Sequence, residues 1–444
     1  MKPLTLTVDF NQASGKVKPM HATNNGPVEG VGFGQARTGG FDRWREAGIP
    51  FARTHDSSFC SDYGGEHTVD VNAVFPDFDA DVNDVASYDF TVTDHYLKQI
   101  TDCGTKVFYR LGSKIEHEVK KYNTLPPRDF RKWAEICEHI IRHYTEGWAN
   151  GYHLDIQYWE IWNEPDLDPE DADNKRTWGG TVQEFYEFYP IVARHLKHCF
   201  PQLKIGGPAS AFRQGWIEGF LNHLTCESER VPLDFFSWHC YGHEVQKIRD
   251  RSAWIRERLD FYGYRDTESI LNEWNYNTTW DNFLYNVRQI ISIKGAAFSA
   301  ACMCAAQNDT AIDMLMYYDA RPSHYNGMFD FYTNAPLKGY YPFKMFNTLY
   351  RLKNACHCTV EDGDVYAAAA TNGDESAVMI VYFQNNDEDV STRSLVFCPT
   401  NGAERYELYC LDAEHNADLV RTIAVGEVLE MSPNSVYLLR SCKQ

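Results

Sequence analysis

The chain has 444 residues, 43% of them hydrophobic and 14% aromatic, enough for one large globular domain and a smaller companion. A formal net charge of −20 argues against nucleic acid or an anionic membrane as partner, and favours a neutral or cationic small molecule. No apolar stretch reaches the roughly 20 residues of a membrane helix. The opening MKPLTLTVDFNQASGK also lacks the apolar core of a signal peptide, so a cytoplasmic location is expected.

In chain order, LTLTVDF alternates cleanly and predicts a strand. Eight β-rich runs follow: MHATNN (20–25), FARTHD (51–56), KVFYRLG (106–112), IQYWEIWNE (156–164), LKIGGPA (203–209), FFSWHCYG (235–242), SILNEWNY (269–276) and MLMYYD (314–319). Between them lie amphipathic segments, notably 130–146 and 182–200, with apolar residues at helical spacing. Eight strands alternating with helices predict an α/β protein built on a closed (β/α)₈ barrel, the TIM barrel, over residues 15–350. An open doubly wound sheet competes, but VEGVGFGQARTGG (28–40) offers no clean G-x-G-x-x-G opening a helix. Beyond residue 350, short strand-like runs separated by NGDES, NNDED, TNGAE and PNS predict an antiparallel β-sandwich over 351–444. Residues 1–14 are expected to add a strand to it. The 13 cysteines are odd in number and scattered. The pairs Cys302/Cys304 and Cys356/Cys358 lack zinc-ligand spacing, so reduced structural thiols are expected.

Barrel chemistry gathers at the C-terminal strand ends. Arg53, His55 and Asp56 fall there on strand two, Asn163 and Glu164 on strand four, and His239 and Tyr241 on strand six. Glu273 falls there on strand seven, and Tyr317, Tyr318 and Asp319 on strand eight. Glu164 in WNEP and Glu273 in LNEWN each follow an Asn at the end of an aromatic strand. Salt bridges capping the barrel would account for either glutamate alone. Two such pairs on facing strands, amid Trp, Tyr and His, fit glycoside hydrolysis, which places a carboxyl on each side of the scissile bond.

WEIWNEPD followed by LNEWN resembles the clan of retaining glycosidases with the acid on strand four and the nucleophile on strand seven. With FARTHD, KIGGPA and SWHCYG, the barrel is similar to glycoside hydrolase family 39, which holds β-xylosidases and α-L-iduronidases. The resemblance implies that Glu164 is the acid/base and Glu273 the nucleophile. It implies that Asn163 binds the sugar 2-hydroxyl, that His55 and His239 line the site, and that Tyr241 bonds near the nucleophile. Tyr318 and Trp274 are the further candidate substrate contacts, and the rings of Trp178, Trp216 and Trp280 are alternatives to Trp274.

Glu160 shares strand parity with Glu164 and is expected one layer deeper, paired with Arg53. Arg53 is expected to help keep Glu273 ionised. Trp159 or Trp162 is expected to give Glu164 the apolar surround that keeps it protonated. The expected activity is exo-cleavage of a short neutral pentoside, a β-D-xyloside first and an α-L-arabinoside or arabinobioside as alternative, with no cofactor and no metal. Few cations other than Arg53 and Arg321 accompany these motifs, which disfavours a uronic acid. A barrel that binds carbohydrate without cleaving it is the alternative of another class, and a homo-oligomer is permitted.

Overall fold

The computed structural model describes residues 2–27, 30–32, 35–37, 40–55, 69–226, 229–321, 325–330, 332–360 and 363–442. Eight parallel strands close into a barrel: Ala22–Asn24, Phe51–Thr54, Lys106–Leu111, Tyr158–Ile161, Lys204–Ser210, Phe235–Gly242, Glu268–Tyr276 and Ile312–Tyr317. The ring closes where Met316 lies opposite Ala22 and Tyr317 opposite Thr23. The fourth strand is shorter than its apolar run predicts. Trp162 (φ 73°) and Glu164 (φ 46°) take left-handed backbone conformations, which end the pleat at Ile161.

Side chains fill the barrel in layers, as a packed core and not a pore. Ala22, Phe108, Phe235, Ile270, Met314 and Met316 form an apolar plug, with Phe51 and Tyr158 against it. Outward-facing strand residues pack on the helices. The helix Phe130–Thr145 is capped by Asp129, which accepts from the amides of Arg131 and Lys132. Val182–Cys199 opens on a reciprocal capping box between Thr181 and Glu184. Both helices bury an aliphatic and aromatic stripe against the barrel, as their spacing predicts.

The C-terminal unit is one continuous nine-stranded sheet, and Leu4–Lys16 lies inside it. This N-terminal strand pairs antiparallel with Asn354–Val360 and parallel with Arg393–Thr400, the one parallel pairing of the sheet among the described residues. Phe397 and Tyr406 belong to strands far apart in the sheet order, yet their rings lie 5.1 Å apart. The sheet therefore curls over a single core that contains Leu6, Phe10, Ile380 and Leu439, which makes it a sandwich.

Helix Ile293–Asp309 is buried nearly all round, between the barrel and this sheet. Its position explains its apolar composition, and it holds Cys302 and Cys304 as buried thiols whose pKa burial pushes up. Lys294 on this helix bonds the Asn385 carbonyl at 2.5 Å and Asp387 at 2.7 Å, and Tyr276 donates to Asn385 at 3.1 Å. The two units are thus tied without a linker. Among the described residues, no single helix is long and apolar enough to cross a membrane.

Candidate active site

A fully buried guanidinium organises the barrel mouth. Arg53 donates from Nε to Glu160 at 2.7 Å, and from Nη1 to Glu273 at 2.8 Å and Asn24 at 3.0 Å. Its Nη2 donates to Asn163 Oδ1 at 2.8 Å. Burial opposes the charge, but Glu160 and Glu273 outweigh that and hold the Arg53 pKa above its ordinary value. Glu160 accepts a second bond from Asn272 at 2.5 Å. Glu160 thus lies beneath the site, as its place in the strand requires, and Arg53 carries its influence to Glu273 and Asn163. With Oδ1 engaged, Asn163 keeps its amide N–H₂ as the group it can offer a ligand.

Such a knot is costly to break from one side. Arg53→Met is expected to destabilise the protein by about 3–5 kcal/mol, because Glu160 and Glu273 would remain as buried charges without their cation. Equilibrium unfolding in urea reads this directly. Arg53→Met with Glu160→Leu should recover part of the loss, and a single variant within 1 kcal/mol of wild type would contradict the account.

Glu164 and Glu273 meet above this layer. One oxygen of each and one ring nitrogen of His239 all lie within 4.8 Å of one another. His239 Nδ1 is 2.6 Å from Glu164 Oε1 and 3.4 Å from Glu273 Oε2. Burial drives the His239 pKa down to about 4 although Glu273 opposes it, so the ring is neutral near pH 7. Tyr241 donates its hydroxyl to Glu273 Oε2 at 2.8 Å, and burial followed by that carboxylate holds its pKa well above the ordinary phenol value. His55 Nε2 stands 3.2 Å from Glu273 Oε1. Tyr318 closes the wall, its ring 6.1 Å from that of His55 and 6.2 Å from that of Tyr241.

The backbone around Glu164 is held as firmly. Its N–H donates to the Ala209 carbonyl at 3.0 Å, and its carbonyl accepts from Thr177 at 2.5 Å. Asp166, buried two residues on, accepts from the Ser210 hydroxyl and from the amides of Ala211 and Arg213. A left-handed conformation at a non-glycine residue persists only when its surroundings over-determine it, and such residues cluster at functional sites.

Several sequence expectations fail. Trp274 does not reach the mouth. It is fully buried with its ring 5.4 Å from Tyr317 and 6.2 Å from Phe298, in the layer between barrel and helix. Trp159 and Trp162 do not surround the Glu164 carboxyl either. Trp159 stacks on Tyr109, and Trp162 packs on Trp133, Trp178 and Phe188 in the outer layer. Trp178 and Trp216 are buried as well, which leaves Trp280, 62% exposed, as the one candidate ring open to solvent. Asp56 lies outside the described residues. Sequence reasoning missed Asn24 and Asp166, although each sits in a run it singled out, MHATNN and WNEPD. Asn24 donates to the Asn272 carbonyl at 2.6 Å, joining strands one and seven.

A closed barrel with paired carboxylates at the ends of strands four and seven defines a site of the glycoside hydrolase class. The profile of Glycosyl hydrolases family 39 matches residues 21–258, just over half of the chain. The chain belongs to that family. The match contains Glu164 and stops before Glu273, so the second carboxylate rests on its geometry. A β-xylosidase of Caldicellulosiruptor saccharolyticus is 26% identical over 263 residues, 55% of this chain and 47% of that protein. One from Geobacillus stearothermophilus is 34% identical over 124 residues, 27% of this chain and 22% of that protein. The chain thus spans about half the length, or less, of these curated relatives. Among solved structures, a glucosidase from Croceicoccus marinus has a TM-score of 0.79 at 24% identity, covering 99% of this chain and 98% of its own. A monomeric β-xylosidase from Caulobacter crescentus CB15 has 0.68 at 17%, covering 98% and 99%. These two are likenesses of fold.

Proposed function

We propose that this protein is a retaining, exo-acting glycosidase of neutral pentosides, and that its substrate is a β-D-xyloside. The observation that carries the reading is the close approach of Glu164 and Glu273, with oxygens within 4.8 Å of each other. Retaining enzymes hold their carboxyl groups about 5–5.5 Å apart, whereas inverting ones leave room for a water at about 6.5–9.5 Å. The β-xylosidase relatives support the choice of sugar. The commitments of the arginines at the mouth support a neutral substrate. Arg53 gives four of its five N–H donors to four side chains, and Arg321 lies 3.7 Å from Asp319.

In this mechanism Glu273 attacks the anomeric carbon as a carboxylate. Arg53 at Oε1 and Tyr241 at Oε2 hold it ionised and aimed. Glu164 gives its proton to the leaving oxygen and then takes one from the water that hydrolyses the glycosyl ester. Neutral His239 suits both halves of that cycle. As the Nδ1–H tautomer it donates across the 2.6 Å contact to Glu164 Oε1 in both states, which leaves the acid proton on the other carboxyl oxygen for the leaving group. Asn163 offers N–H to the sugar 2-hydroxyl, a bond that strengthens in the transition state.

An aryl-glycoside panel of β-D-xyloside, α-L-arabinofuranoside, α-L-arabinopyranoside and β-D-galactoside tests the reading, with the product anomer followed by NMR. The expected result is cleavage of the β-D-xyloside with the first-formed sugar retaining the β configuration. The inverted anomer would overturn the mechanism, and preference for an arabinoside would overturn the sugar. Binding of a xyloside without any turnover would favour a carbohydrate-binding barrel instead.

A further inference from the structure

From the nucleophile outward, aromatic rings continue in an unbroken row. Tyr241, whose hydroxyl touches Glu273, lies 5.2 Å from the Trp280 ring and 6.5 Å from Tyr325. Trp280 lies 6.0 Å from Tyr325, and Phe283 lies 5.9 Å from Tyr325. Trp280 and Phe283 sit on the short helical segments Trp280–Asn282 and Phe283–Ile290, just after the strand that carries Glu273. Trp280 is 62% exposed, and Leu284 beside it is 77% exposed. Every other tryptophan that the sequence offered for a sugar face is buried.

We infer that Trp280, braced by Tyr241 and Tyr325, is the stacking platform for the leaving-group ring of the substrate. This inference rests on the reading of the site as an exo-acting glycosidase. The depth of the rings decides which part of the substrate meets them. The groups around the two carboxylates, His55, His239 and Asn163, are buried, so the terminal sugar that sits there is enclosed. Trp280 lies one ring farther out and open to solvent, where only the part of the substrate beyond the cleaved bond arrives.

The surface is also apolar in what it presents. The Tyr325 hydroxyl is buried without a hydrogen-bond partner among the described residues, so this side chain offers its ring and not its O–H. A ring with an apolar face is therefore the matching chemistry, supplied either by a second sugar or by an aromatic aglycone. A chain alcohol would gain little. Leaving a large indole mostly in water at a site mouth forgoes the burial that such side chains dominate in cores and interfaces, and a ligand ring restores it.

The test compares kcat/KM for three xylosides that differ only in the leaving group: methyl, phenyl and a second xylose. This parameter reports steps up to the first bond cleavage, so it sees the leaving group and is blind to the later hydrolysis. In Trp280→Ala the ratio of ring-bearing to methyl substrate should fall about tenfold, the size of an aromatic contact of roughly 1.4 kcal/mol. Trp280→Phe should recover part of it. A fall for both ring substrates means that ring shape alone is read; a fall for one identifies the platform as built for a sugar or for an aryl group. An unchanged ratio in a wild type that cleaves all three overturns the platform and leaves the glycosidase reading standing. A wild type that cleaves none of them overturns the reading of the substrate as a xyloside, and the platform with it.

Discussion

Glu273→Ala is expected to lower kcat for an aryl β-D-xyloside by roughly four to six orders of magnitude, the scale seen when the nucleophile of a covalent mechanism is removed. The fold should survive, because Arg53 keeps Glu160, Asn24 and Asn163 as partners. Stereochemistry makes this more than a loss of activity. Trimming the carboxylate opens space beneath the anomeric carbon, and azide entering there displaces the leaving group in a single step. The product should be the inverted α-xylosyl azide. If azide restores turnover with the β product, Glu273 does not attack the sugar. If the variant stays within a hundredfold of wild type without azide, the attacking group lies elsewhere.

Glu164→Ala should show the complementary pattern, a loss graded by the leaving group. General acid catalysis contributes typically 10²–10⁴-fold, and a poor alkoxide leaving group needs all of it. For the methyl xyloside, kcat/KM should fall by that factor, while a nitrophenyl xyloside, which leaves without protonation, should fall far less. Azide now intercepts the glycosyl ester from the opposite face and gives the retained β azide, so the two variants are told apart by one product. The alkaline limb of the pH profile of kcat/KM should also disappear, since that limb reports the acid. A uniform loss across leaving groups, with the alkaline limb intact, would remove Glu164 from the acid role.

Much of this site is legible in the sequence because its residue types are out of place. An Asn can begin a turn after an aromatic β-run, but the Glu beside it adds little to one, and the same anomaly on strands four and seven indicated the barrel mouth. Glu160 was legible by simple alternation. The failure at Trp274 has a specific physical cause. Ile270 points into the barrel plug, and Asn272 reaches inward to Glu160. Alternation would turn Glu273 outward and Trp274 inward. Instead the pairing with strand Phe235–Gly242 slips between Leu271 and Glu273, a bulge that sends Asn272 and Glu273 inward in succession and Trp274 out among the helices. Nothing in the letters LNEWN marks that slip. The left-handed Trp162 and Glu164 are similarly silent, since neither residue type favours that conformation. The tryptophans split in the same way, because exposure depends on where a loop lies and not on the ring.

The place of Leu4–Lys16 bears on how the chain is made. It is synthesised before the barrel, yet its partners come after the barrel, with Leu6 set against Val360 and Leu4 against Leu395. Throughout translation of the barrel this strand has both of its edges unsatisfied, the condition that invites pairing with a neighbouring nascent chain. Its exposed second half, Asn11–Lys16, carries Gln, Ser, Gly and Lys in place of a continued apolar alternation. Such polar, glycine-broken sequence on a waiting edge discourages pairing between copies until the C-terminal segments arrive.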